Sequence, residues 1–222
     1  MNFRDQFYLV LSGIFIASLV TCNLIANKFV SVDLGFKVFI VSAGILPYPL
    51  TFLVTDLISE LYGQKKANLI VFSGFVASVF VLMFLWLGSQ FSAISGSIVD
   101  DITYDSVFQN AWRVIAASMI AYLFAQFIDI RIYHFWKKKT KGKLLWLRNN
   151  FSTFTSQFID SFTVIFLLCS FEALPWNSFL GLLVSAFIFK VLVALIDTPL
   201  LYLGVYLFRK KFELKINEEI TI

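Results

Sequence analysis

The stretch NLIVFSGFVASVFVLMFLWLG, Asn68–Gly88, decides the fold, because it has no charged residue and is long enough to cross a bilayer. About 20 consecutive apolar residues form a helix that spans the hydrocarbon core, which is about 30 Å thick. After the first residue its only polar side chains are those of Ser73 and Ser78. The stretch therefore predicts a membrane-spanning helix at the periphery of a bundle.

The rest of the chain is of the same kind: 59% of its 222 residues are hydrophobic, 14% are charged and 27 are phenylalanine. A soluble domain of this size could not bury so much apolar surface in one core. Six stretches have spanning length: Phe7–Ala26, Val38–Ser59, Asn68–Gly88, Val107–Phe135, Phe151–Phe171 and Ser178–Phe208. Residues 1–222 are predicted to form a single all-α integral membrane domain with six transmembrane helices. The first stretch is expected to be retained as a helix rather than cleaved as a signal peptide.

The basic residues set the predicted orientation. Most of the 18 lysines and arginines lie at the two ends of the chain, between the second and third spans, and between the fourth and fifth. Cytoplasmic loops retain such residues, so both termini are predicted to be in the cytoplasm. The basic stretch HFWKKKTKGK (His134–Lys143) would then lie against anionic lipid, and the net charge of +4 needs no nucleic-acid partner.

Charged residues within the spans are the strongest functional signal. An ionised group at the centre of a bilayer costs roughly 2.5–3.5 kcal/mol, so it usually faces a bundle interior or a wet cavity. The chain places such groups in four spans: Asp56 and Glu60 in the second, Arg113 and Asp129 in the fourth, Asp160 in the fifth, and Lys190 and Asp197 in the sixth. These groups are expected to be paired, solvated or neutral.

The tetrapeptide QFID occurs twice, at Gln126–Asp129 and Gln157–Asp160. Helical spacing puts the amide and the carboxylate of each copy on one face of the helix. Together with the charged groups and a polar residue of the first span, they form the candidate substrate site: Asn23, Asp56, Arg113, Gln126, Asp129, Gln157, Asp160, Lys190 and Asp197. Asp160 is predicted to lie deepest in the membrane, so it is the first choice for a residue that binds substrate, with Gln157 beside it.

Other roles stay open for several of these residues. Asp56 and Glu60 lie one helical turn apart near the inner end, where they could form a gate with Lys65, Lys66 or Arg148, or take part in proton coupling. For Asp129 and Glu60 an ion pair that only fixes helix packing is an equal alternative. Pro47 and Pro49 predict an interruption of the second span, either as a plain kink or as a break that contacts ligand.

Four motifs of the chain are specific enough to compare with known families. The first is TDLISELYGQKKA (Thr55–Ala67), and the others are RVIAASMIAYLFAQFID (Arg113–Asp129), LRNNFSTFTSQFIDSF (Leu147–Phe162) and FKVLVALIDTPLLY (Phe189–Tyr202). Together they resemble the queuosine precursor transporter family, also called the vitamin uptake transporter family, and the first resembles its D-[IL]-x-x-E-x-Y-G segment with the basic residues that follow. Their order and spacing agree along nearly the whole chain.

The resemblance implies a six-helix carrier or facilitator of the bacterial inner membrane that takes up 7-deazaguanine compounds, namely preQ0, preQ1 or queuine. It also implies a likeness to the substrate-binding membrane components of energy-coupling-factor vitamin importers. A binding subunit that needs a separate energising partner is therefore the alternative. No cofactor or metal is expected, and a homodimer is compatible with the resemblance.

The chemistry of a deazaguanine suits the candidate residues. Its N1–H and 2-amino groups are adjacent donors and its O6 is an acceptor, so one carboxylate can accept from both donors while an amide, ammonium or guanidinium answers O6. An enzyme is not expected, because the chain has no H-E-x-x-H motif and a single histidine, His134.

Overall fold

The computed structural model describes residues 2–33, 35, 38–109, 112–172, 174–216 and 218–220, and for residues 109 and 112–114 it describes the backbone alone. Its helices are α1 (Phe3–Leu24), α2 (Tyr48–Leu61), α3 (Gln64–Gly88), the single turn α4 (Asp101–Tyr104), α5 (Trp112–Lys139), α6 (Leu145–Ser170) and α7 (Phe179–Phe212). Strands β1 (Phe29–Asp33) and β2 (Val38–Ser42) form an antiparallel hairpin between α1 and α2.

Among the residues that the structure describes, five segments are long and apolar enough to cross a membrane: Phe3–Leu24, Gln64–Gly88, Ile115–Lys139, Leu145–Ser170 and Trp176–Phe212. They correspond to the first, third, fourth, fifth and sixth predicted spans. The prediction of a mostly helical, multi-pass membrane protein is confirmed.

The prediction of one continuous helix over Val38–Ser59 is wrong. Val38–Ser42 is a strand, Ala43–Ile45 is a 3-10 turn, and α2 has only 14 residues. The strand forms because its β-branched and aromatic residues suit a pleated, half-buried surface, with Phe39 and Val41 turned inward. Pro47 and Pro49 lie at the start of α2, where a helix does not need their missing N–H groups, so they begin a helix rather than kink one.

The short helix α2 nevertheless runs antiparallel to α1 over most of its length. At one end Gly44 packs on the α1 backbone so closely that an added Cβ would lie 2.5 Å from the Cys22 carbonyl oxygen. At the other end the Tyr62 hydroxyl donates to the Arg4 carbonyl oxygen at 2.8 Å. The 3-10 turn and α2 together therefore extend alongside α1 from Cys22 to Arg4.

The long helices and α2 enclose a polar interior. Neighbours in contact are α1 with α2, α2 with α7, α7 with α6, α6 with α5, α5 with α3, and α3 with α1, which closes a ring. At Gly74 of α3 the missing side chain lets Phe15 and Leu19 of α1 approach. The opposite side of α3 exposes Phe72 and Phe80, as expected for a peripheral, lipid-facing helix.

The turn between α2 and α3 depends on Gly63. Its backbone has φ 81 and ψ 175, a region that is essentially restricted to glycine. A Cβ at this position would also overlap the Glu219 carboxylate of the C-terminal segment. The Ile220 N–H donates to the Leu61 carbonyl oxygen at 2.6 Å and holds that segment against the turn.

We expect Gly63→Ala to lower the free energy of unfolding by about 1–3 kcal/mol through backbone strain, and to displace the Glu219 segment as well. Thermal unfolding of the purified protein in detergent measures the effect. Gly96→Ala is the matched control, because Gly96 also has a positive φ, of 87°, but nothing lies within 4 Å of an added Cβ. Equal losses in the two variants would show that the contact with Glu219 contributes nothing.

Candidate functional site

A large cavity lies in the half of the bundle next to the hairpin. The volume open to the centre of a water molecule is about 170 Å³, whereas one water needs about 10–15 Å³ by the same measure. The cavity therefore has room for a small planar molecule. Its polar lining residues come from α1, the hairpin, α2, α5, α6 and α7: Asn23, Ser42, Tyr48, Ser118, Tyr122, Asp160, Ser161 and Lys190.

An ion pair between Asp160 of α6 and Lys190 of α7 lies at the boundary of this cavity. The Lys190 ammonium donates to Asp160 Oδ2, and the exposed fractions of the two side chains are 12% and 3%. The same ammonium lies 4.7 Å from the centroid of the Tyr48 ring. An almost fully buried ion pair that faces an open cavity can exchange its internal partner for a polar ligand.

A smaller cavity lies on the other side of this pair. Its volume by the same measure is about 20 Å³, and Tyr48 and Lys190 line both cavities. The polar residues that line only the smaller one are Asp56, Asn149, Thr153, Gln157 and Asp197. Tyr48 and Lys190, together with Ile45, therefore lie between a large compartment next to the hairpin and a small compartment on the side of Asp56.

The two QFID copies occupy different environments. Gln157 and Asp160 line the cavities, whereas Gln126 and Asp129 line neither of them. The Gln126 amide oxygen accepts from Thr55 at 3.3 Å, and Asp129 Oδ1 accepts from Ser156 at 2.9 Å. Helical periodicity correctly turns both pairs into the protein, but only the α6 copy meets the cavities.

The end of the bundle that is opposite the hairpin is closed by a network around Glu60, whose side chain has an exposed fraction of 0%. Its carboxylate lies 2.7 Å from Arg148 Nη2, 2.5 Å from Arg209 Nη2 and 3.8 Å from Lys137 Nζ. The Tyr133 hydroxyl donates to Glu60 Oε2 at 2.8 Å. Such a dense network ties α2, α5, α6 and α7 together at one level.

Of the gate partners expected from the sequence, Arg148 contacts Glu60. Lys66 instead lies over the Tyr8 ring, 5.4 Å from its centroid, and the ion pairs of the described residues do not include Lys65. Sequence reasoning missed Arg209 and Lys137. Both lie in clusters of basic residues at helix ends, so the sequence does not show which cation of each cluster pairs with Glu60.

Residues 42–204 of the chain match the family described as "Putative vitamin uptake transporter". The chain belongs to this vitamin uptake transporter family. The matched region begins at the end of the hairpin and includes most of the residues outside α1 that line the large cavity. Over 161 residues the chain is 30% identical to the "Probable queuosine precursor transporter" of Bacillus subtilis (strain 168), which covers 72% of this chain and 69% of that protein. No solved structure matches the chain.

The remaining candidate residues of this vitamin uptake transporter family member are more scattered. Asn23 lines the large cavity, and its amide nitrogen lies 3.4 Å from the Ser78 hydroxyl. Asp197 lines the small cavity. The side chain of Arg113 lies outside the described residues.

Sequence analysis overlooked Tyr48, which touches both compartments of the transporter. It lies between the two prolines at the start of α2, and that position could have identified it from the sequence as a candidate site residue. It also overlooked the hairpin residues Phe29 and Ile40, which line the large cavity, because nothing in the second apolar stretch indicates that it pairs with residues 29–33.

Proposed function

We propose that this transporter carries 7-deazaguanine precursors of queuosine (preQ0, preQ1 or queuine) into the cell across the bacterial inner membrane, as a small secondary carrier or facilitator. The name of the Bacillus subtilis relative supports this substrate class. The observation that carries the proposal is the Asp160–Lys190 pair at the boundary of a largely apolar cavity that Tyr48 and Tyr122 help to line.

In this proposal hydrogen bonds to one edge of the deazaguanine ring replace the contact between Asp160 and Lys190. The Asp160 carboxylate accepts from N1–H and the 2-amino group, and the displaced Lys190 ammonium donates to O6. The ring of the base packs against Tyr48 and Tyr122, whose own rings meet edge to face with centroids 5.9 Å apart. When the cavity is empty, the charges of Asp160 and Lys190 thus compensate each other.

The proposal includes six membrane crossings with both termini in the cytoplasm. The crossing that lacks a long helix is made by the 3-10 turn and α2, which run alongside α1. The Glu60 network lies at the same end as the chain termini, since Tyr62 contacts Arg4 and the C-terminal segment contacts the turn after α2. The large cavity then faces outward while the Glu60 network closes the cytoplasmic end.

Uptake tests the proposal directly. A bacterium that lacks both precursor synthesis and its own importer should regain queuosine in its tRNA when it expresses this chain and is supplied with the correct compound. Each of the three compounds is supplied separately. The purified chain alone in liposomes should also admit that compound. Failure in liposomes together with success in cells would favour a binding subunit that needs an energising partner.

Filling the cavity should block uptake. Ala186 lines the large cavity, so we expect Ala186→Phe to reduce uptake by about tenfold or more, because even small steric misfits have effects of this order. Val184→Phe is the control, since Val184 lies on the same helix with 44% of its surface exposed and lines neither cavity. The measurement is initial uptake at matched protein levels. Equal uptake by the two variants would place the route elsewhere.

A further inference from the structure

Asp56 of α2 and Asp129 of α5 are two acidic residues that lie next to each other inside the bundle. Their side chains interact with each other, and the residues are only 3% and 0% exposed. Asp56 Oδ1 and Asp129 Oδ2 have no hydrogen-bond donor among the described residues. A single proton between the two groups would supply that donor.

The charges around the pair also require a proton. The Ser156 hydroxyl of α6 donates to Asp129, and Asp197 of α7 adds a further acid. Four buried or largely buried cations of α5, α6 and α7 are committed elsewhere: Arg148, Arg209 and Lys137 to Glu60, and Lys190 to Asp160. No cation of the described side chains pairs with Asp56 or Asp129. Two ionised carboxylates in contact at low dielectric repel strongly, so such a pair retains one proton.

A route for that proton leads to the small cavity. Asp56 lines it together with Gln157, which is 3% exposed and whose amide oxygen has no partner among the described residues. The volume of about 20 Å³ is enough for one water. Tyr48 and Lys190 separate this water site from the large cavity, so ligand that displaces Lys190 also alters access to Asp56.

We propose that Asp56 and Asp129 share one proton and that this proton is the coupling ion of the transporter, an inference that rests on the proposed function. The proton binds by way of the small cavity. It leaves as H⁺ when the Glu60 network opens and water reaches both carboxylates: one O–H bond breaks and its electron pair stays on the oxygen. Glu60 itself is ion-paired and belongs to the gate rather than to the proton site.

The shared proton can be tested without any ligand. The infrared spectrum of the purified protein at neutral pH should contain a carboxylic-acid C=O band that shifts in heavy water. Asp56→Asn and Asp129→Asn should each remove it, and Asp101→Asn, at an exposed residue of the single turn α4, should retain it. A wild-type spectrum without this band, or a band that survives both substitutions, overturns the proposal.

Coupling is tested in liposomes that contain a pH-sensitive dye. The wild-type protein should move about one proton inward with each precursor molecule. Asp129→Asn should reduce this ratio to zero, whatever its residual rate of uptake. An unchanged ratio overturns the proposal. If the wild-type protein takes up no precursor, the proposed function and the coupling both fail, whereas the infrared result is independent of that failure.

Discussion

Glu60→Gln is expected to remove a large part of the folded stability of the transporter, about 3–5 kcal/mol. The substitution keeps the size of the side chain and an acceptor for Tyr133, but it removes the negative charge that Arg148, Arg209 and Lys137 share. Arg148 is 1% exposed and would become a buried, uncompensated cation. Unfolding of the purified protein in a denaturing detergent, at fixed lipid content, measures the loss.

Arg209→Gln is the matched control for this prediction. Its side chain is 15% exposed and can extend toward the interface, so its loss should cost clearly less than the loss of Glu60. The double variant Glu60→Gln/Arg148→Met should recover part of the stability, since it removes the unpaired cation together with its partner. Equal losses for Glu60→Gln and Arg209→Gln would contradict a network centred on Glu60.

The spans that were predicted correctly depend on local information. In Asn68–Gly88 the length and the absence of charge are enough, and the structure extends the helix by only four residues, to Gln64. The prediction of the second span was wrong because the stretch VFIVS is as apolar as a membrane-spanning helix. Its conformation depends on pairing with residues 29–33, and no local pattern in the sequence shows that pairing. Both prolines after it are compatible with either a kink or a helix start.

The candidate site, like the fold, could be predicted only in part from the sequence. The unfavourable placement of charge in apolar stretches identified Asp160, Lys190 and Asp56, because the cost of burying a charge is a property of the residue itself. Which of them meet depends on how the helices cross. Gln126 and Gln157 have the same local sequence, yet only Gln157 lines a cavity. Sequence periodicity gives the face of a helix but not its neighbour.

Asp160→Asn should reduce precursor uptake by about 100-fold or more. The carboxylate would accept two hydrogen bonds from the base, and hydrogen bonds to charged groups contribute about 1.5–3 kcal/mol each, where every 1.4 kcal/mol is a factor of ten. An asparagine oxygen lacks the charge, and its amide group would oppose the donors of the base. Initial uptake at matched protein levels measures the effect, with Asp101→Asn, at an exposed residue of the single turn α4, as the control.

The exchanged pair Asp160→Lys/Lys190→Asp separates a binding role from a structural one. It keeps two opposite charges on α6 and α7, so it should recover the stability that Asp160→Asn or Lys190→Met loses alone. It moves the carboxylate to the other side of the cavity, where it can no longer accept from N1–H and the 2-amino group, so uptake should stay as low as in Asp160→Asn. If the exchanged pair restored uptake, the charges would only hold α6 against α7. Stability that returns without uptake would place the ligand at Asp160.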